Sequence, residues 1–150
     1  MRANTRLFGA IDIEQEKIIV LPDGIVGFPD MKNFTLLFDE EKKGETNIMW
    51  FQSMDEPQFA MPVMLPQIIK EDYNPTINDS LLEPLGELTP DNTYVLVTVT
   101  VPPEIEKMSV NLKAPIIINT DTKKAAQLIV EDDVPVKFPI YEILKERKGE

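Results

Sequence analysis

Thirteen prolines are spread along a chain of 150 residues, and they limit what it can fold into more than any other feature does. Proline breaks a helix interior, and in a sheet it is confined to edges, strand starts and bulges. Between the prolines lie short runs with β character. TYVLVTVTV (93–101) is the clearest, with Val95, Val97, Val99 and Val101 on one face and Tyr94, Leu96, Thr98 and Thr100 on the other; its valine face is expected in the core. TRLFGAIDIEQEKIIVLPDG (5–24) reads as a hairpin whose strands, 7–13 and 17–21, flank Glu14-Gln15-Glu16, with Asp23-Gly24 as the break. FTLLF (34–38) and IMWFQS (48–53) flank the charged loop DEEKKGETN and predict a second hairpin, while Pro62 demotes FAMPVML (59–65) to an edge strand or a bulge.

Residues 66–92 are rich in breakers and predict one short helix from Asp79 to Glu83, capped by Asn78 or Asp79, shortened by Pro84 and stopped by Gly86. In NLKAPIIINTDTKKAAQLIVED (111–132), the runs Ala114 to Asn119 and Ala125 to Glu131 predict a third hairpin, with Pro115 at a strand start. The tail VPVKFPIYEILKERKGE is expected to end as a strand and then a charged helical turn. Together these runs predict a mainly β fold: a small antiparallel β-barrel-like single domain over residues 1–150, with one or two short helical turns.

The chain has no cysteine and no histidine. Disulfides, thiolate nucleophiles, zinc–thiolate and iron–sulfur sites are therefore excluded, as is the usual neutral-pH general base. The longest uncharged segment, NTYVLVTVTVPP, is too short and too rich in threonine for a membrane helix, and no apolar stretch of signal-peptide type precedes it. A cytoplasmic protein with no membrane partner is the expectation. Fifteen basic against 26 acidic residues leave a net charge of −11, which repels phosphate backbones and disfavours direct nucleic-acid binding while attracting a basic protein.

The chemical motifs are weak. The acid pairs Glu40-Glu41, Glu71-Asp72 and Asp132-Asp133 read as solvated charges. Asp39, Glu41, Lys43 and Gly44 fail as a calcium loop, since Lys43 takes a ligand position and Trp50 takes that of the closing glutamate. GIVG (24–27) has the G-x-x-G form of an RNA-clamping loop but contains no lysine and is flanked by Asp23 and Asp30, so it reads as a turn. Lys42-Lys43, Lys123-Lys124 and Lys145-Arg147-Lys148 read as hairpin tips or tail. Trp50 is expected in the core, and Met49, Met54, Met61, Met64 and Met108 as gap-fillers.

Four stretches carry a resemblance: LPDGIVGFPDMKNFTLL (21–37), WFQSMDEP (50–57), VLVTVTVPPEIEKMSVNLKAPIIINT (95–120) and AAQLIVED (125–132). The combination of TVP-P-E, K-M-x-x-N-L and A-P-I-x-I-N-T, anchored upstream by G-I-x-G-F, resembles the bacterial flagellar assembly factor family FliW. Val26 stands where that pattern often has proline, and Lys113 where it often has an apolar residue before Ala-Pro. The resemblance implies a β-barrel-like cytoplasmic regulator that is not an enzyme and needs no cofactor or metal. Its implied partners are the RNA-binding translational repressor CsrA and flagellin, bound alternately.

Partner contacts are expected from Pro103 to Asn111, above all Glu104, Ile105, Glu106, Met108 and Asn111, and from Phe28 and Met49. The acids would meet basic residues, and Ile105 and Met108 would be apolar anchors. Two other classes stay open at this stage. One is a small β-barrel that binds oligonucleotides; the other is a hydrolase relying on two carboxylates facing each other across a cleft.

Overall fold

Buried residues on both faces of one long strand organise the fold. The computed structural model describes residues 2–5, 9–37, 48–77 and 79–143. Within them β1 (Arg2–Thr5) pairs antiparallel with β2 (Gly9–Asp12) as a separate hairpin. β3 (Ile19–Val20), β4 (Asn33–Leu37), β5 (Met49–Ser53), β6 (Ala60–Met64) and β7 (Thr93–Thr100) follow as an antiparallel succession. β8 (Ser109–Val110), β9 (Ile116–Asn119), β10 (Lys124–Gln127) and β11 (Phe138–Pro139) complete the set. β7 pairs with β9, β9 with β10, and β10 returns to β3 through one parallel pair, Lys124 opposite Val20, so that seven strands close into a barrel.

The strand β7 has two partners on one edge. Thr93 to Leu96 pair with β9, and Val99 and Thr100 pair with β8, which in turn carries β11. Its inward residue Leu96 joins Phe34, Phe51, Val63, Ile116, Ile118 and Ala125 in the barrel interior. Its outward residues Val97 and Val99 join Met64, Met108, Val110, Leu112 and Ile140 in a second core outside the barrel wall. The valine face is core as expected at Val97 and Val99 but not at Val101, which is 51% exposed beyond the end of the strand, and Leu96 makes the opposite face core as well. Phe34 and Phe51 stack inside the barrel with ring centroids 4.4 Å apart.

The pairing of 34–37 with 50–53 and the hairpin over 114–131 form as expected, the latter with Pro115 just ahead of β9 and its pairing extended by Leu128 N–H to the Pro115 carbonyl and Val130 N–H to the Lys113 carbonyl. The loop 39–47, with its lysine pair and calcium-like acids, lies outside the described residues, as do Asn78 and the charged end of the tail from 144. A short helix, α1 (Asp79–Leu82), passes into a 3-10 turn at Glu83–Leu85, and Gly86 ends it at φ +88°. Phe138–Pro139 is a strand, and 141–143 is helical. No helix among the described residues is long and apolar enough to cross a membrane.

Three expectations are corrected. The N-terminal hairpin is not formed by 7–13 with 17–21. Gln15–Lys17 winds into a 3-10 turn instead, with Lys17 N–H donating to the Glu14 carbonyl at 2.9 Å. Ile19 then enters the barrel opposite Phe34, while Ile18 and Val20 pack outward with Ala3 and Met54. A run buried on both faces takes its partner from the barrel, and the local hairpin signal loses.

β6 is an interior strand despite Pro62. Ser53 N–H donates to the Phe59 carbonyl at 3.0 Å, which sets the alternation so that Trp50 and Pro62 face each other without exchanging hydrogen bonds. The missing N–H therefore points away from β5, toward β7. Trp50 is half-buried on the outer surface between Leu37 and Pro62 and belongs to neither core, because its neighbour Phe51 takes the inward position. We predict that Phe51→Ala costs about 3–5 kcal/mol in urea unfolding and that Trp50→Ala costs distinctly less.

Candidate partner-binding site

At the end of the barrel where β7 finishes, the wall opens into a cleft of about 330 Å³. Its lining includes Ile25, Phe28, Phe59, Met61, Thr98 and Asn111 and, among the described residues, no lysine or arginine. The turn 24–28 crosses this mouth. Gly24 starts it at φ +69°, and a Cβ there would lie 2.5 Å from the carbonyl oxygens of both Phe28 and Pro29, so only glycine fits. Phe28 N–H donates to the Ile25 carbonyl at 2.8 Å, closing the turn. The Val26 N–H donates to Gln127 Oε1 at 2.9 Å, and Gln127 Nε2 donates to the Ala114 carbonyl at 3.2 Å, which clips the turn to the end of β10. Ile25 is buried, whereas Val26 and Phe28 are 50% and 48% exposed. The GIVG segment is thus a turn, as its composition predicts.

The facing wall is positioned by a buried amide. Gln52 Nε2 donates to the carbonyls of Ser53, Pro57 and Phe59 at 2.8–3.1 Å, which fixes the loop that delivers Phe59 to the cleft. The Phe59 ring then lies 5.6 Å from that of Phe28. Beside it Asp55 bridges two loops: its Oδ2 accepts from Lys32 N–H and Asn33 N–H at 2.7 and 2.8 Å, and its Oδ1 accepts from Asn33 Nδ2 at 2.9 Å. Partial desolvation opposes ionisation of Asp55. The hydrogen bonds from Asn33 and Lys32 outweigh it together and hold the carboxyl below the ordinary aspartate range.

The third wall comes from β7 and the turn after β8. Asn111 N–H donates to the Thr98 carbonyl at 3.0 Å, and Asn111 Oδ1 accepts from Lys113 N–H and Ala114 N–H. This side-chain turn lets the chain leave β8 and enter β9, so Asn111 stands where β7 changes partner. Lys113 Nζ donates to the Asp132 carbonyl at 2.7 Å and pins the segment after β10, giving this lysine a structural use. Beyond Thr100 the chain passes through 101–103 into a 3-10 turn at Ile105–Lys107. Glu104, Ile105 and Glu106 are exposed there, Ile105 by 50%, and Lys107 makes a solvent-exposed ion pair with Glu104 at 3.2 Å.

The seven residues picked from sequence therefore separate into three groups. Phe28 and Asn111 line the cleft. Glu104, Ile105 and Glu106 form the exposed turn. Met108 and Met49 are each 6% exposed, the first in the outer core and the second in the barrel core. Met54 and Met64 are buried as gap-fillers, and Met61 reaches the cleft. Sequence reasoning missed Val26, Phe59 and Met61 as cleft residues; the two glycines around Val26 and the proline beside Met61 were the available signals.

Residues 2–140 match the family described as FliW protein. A protein from Lachnospira eligens, named flagellar assembly factor FliW, is 45% identical over 99% of this chain and 100% of its own length. One of the same name from Lachnoclostridium phytofermentans is 44% identical over 95% of this chain and 92% of its own. Among solved structures, a crystal structure of the flagellar assembly factor FliW superposes with a TM-score of 0.85 at 26% identity, over 94% of this chain and 97% of that one.

Two measurements check the geometry of the mouth. Gly24→Ala should lose on the order of 2–3 kcal/mol, since it adds backbone strain to a steric clash. Asp55 has a folded pKa below its unfolded value, so its stabilisation is fully present above the unfolded pKa of about 4 and is lost as pH falls through the lower folded value. Urea unfolding should show Asp55→Asn less stable than the parent at pH 7, with the gap narrowing as the pH drops below about 4.

Proposed function

Because the chain belongs to the FliW family, we propose that it acts in the cytoplasm as a single-domain, non-enzymatic regulator of flagellar assembly that binds CsrA and flagellin alternately. While flagellin accumulates before export, it occupies this protein and leaves CsrA free to repress the flagellin message. Export of flagellin releases the protein, which then antagonises CsrA.

The observation that carries this reading is the match to flagellar assembly factors over almost the entire chain. Its physical chemistry is compatible. A chain of net charge −11 is drawn toward a basic RNA-binding dimer, which raises the encounter rate more than the final affinity. On the exposed 104–106 turn, Ile105 supplies an apolar anchor between two carboxylates, the arrangement of a small interface centre with a charged rim.

Calorimetric titration with purified CsrA, with and without saturating flagellin, tests the reading. Binding to CsrA that flagellin abolishes is the expected result, and no heat with either partner refutes it. Ile105→Asp should weaken partner binding at least tenfold while leaving the melting temperature nearly unchanged, as an exposed position allows. A large drop in melting temperature would assign Ile105 to the fold.

A further inference from the structure

The mouth cleft lies where the ladder between β6 and β7 loses a hydrogen bond. β6 and β7 pair at Met64 with Val97 and at Val63 with Thr98, and the pairing stops there. Continued by one residue, the register would set Pro62 against Val99. Phe59 and Met61 direct their backbone groups at β5, so Pro62 and Met64 direct theirs at β7. The next rung would therefore need an N–H from Pro62, which has none. Pro62, Val99 and Thr100 all line the cleft. The Val99 carbonyl is left without the donor that this register would supply.

The opening combines three recognition elements. Phe28, Phe59 and Met61 give it apolar walls. The Val99 carbonyl, which Pro62 cannot serve as a donor, is a main-chain acceptor beside them. Exposed acids stand around it in the chain: Asp23 and Asp30 bracket the turn that carries Val26 and Phe28, Glu56 precedes Phe59, and Glu106 follows β7 beside Glu104, which Lys107 already pairs. Among the described residues, no basic one lines it.

We propose that this cleft receives an extended segment of a protein partner in which apolar residues are flanked by lysines or arginines. An apolar side chain of that segment enters beside Phe28 and Phe59. A main-chain N–H of the segment donates to the Val99 carbonyl, as in strand addition. The flanking cations reach the acids of the rim, where charge complementarity sets the preference for a basic segment over an acidic one. This inference rests on the partner-binding reading above and adds the place and chemistry of one contact.

The test is an amide NMR titration of the full chain with two synthetic peptides, Lys-Val-Lys-Phe-Lys-Val-Lys and its counterpart with glutamate at every lysine. The lysine peptide should shift the amides of Val26, Ala60, Val99 and Thr100. Phe28→Ser or Val26→Lys, both at half-exposed positions, should weaken it at least tenfold, and the glutamate peptide should leave the spectrum unchanged. No shift with either peptide, shifts away from the cleft, or binding that both variants retain would overturn the inference, even if CsrA and flagellin bind the intact chain. Peptide binding at the cleft by a chain that binds neither CsrA nor flagellin would sustain the cleft chemistry and refute the proposed function.

Discussion

The strand Thr93–Thr100 is the constraint on which the rest depends. It must satisfy two cores at once, with Leu96 fully buried in the barrel and Val97 fully buried outside it. Each such side chain contributes roughly 1.5–3 kcal/mol by leaving water, so neither face can slip by a residue without exposing the other. Its length also exceeds what either neighbour on one edge can cover. β9 takes the first half and β8 the last two residues, and Asn111 bridges the change.

The two ends of this strand finish differently. At its start, Asn119 Nδ2 donates to the carbonyls of Leu85 and Glu87 while its Oδ1 accepts from Asp121 N–H and Thr122 N–H, and Asn92 ties Glu87, Thr89 and Asp121 together. Buried Leu85 sits against this amide network. That end is closed by satisfied hydrogen bonds, which makes it rigid and leaves little to offer a ligand. At its finish, Pro62 interrupts the ladder, and the half-exposed Val26 and Phe28 line the cleft beside it. The exposed 104–106 turn continues directly from that open end.

Sequence was most legible where local pattern and tertiary burial agree. The alternation in TYVLVTVTV, the hairpin after Pro115 and the short helix stopped by Gly86 all have local signals that the fold keeps. It failed where nonlocal pairing decides. The polar step at Glu14 to Glu16 imitates a hairpin turn, but Ile18 to Leu21 are wanted on both sides of a barrel wall. The place of Pro62 in an interior strand depends on which edge its nitrogen faces, a matter of register with β5 that composition does not carry. Trp50 and Phe51 differ only in parity, and parity is fixed by the barrel.

The same logic applies to the candidate binding residues. Phe28 and the 104–106 turn could be picked from a motif, because exposed apolar residues beside glycines or acids leave a trace in sequence. Met108 and Met49 carry the same apolar character, yet both point into cores. The cleft itself belongs to no single segment, since its walls come from 25–28, 59–62, 98–100 and 111–114 together.

The open end of the barrel is the face proposed to meet partner proteins. Hydrogen-exchange mass spectrometry of the chain with and without saturating CsrA tests it most directly. Slowed exchange over 25–28, 59–62, 98–101 and 104–107, with the amide-closed end around 85–92 and 119–122 unchanged, is the predicted result. Protection confined to the closed end or to the β1–β2 hairpin would contradict it.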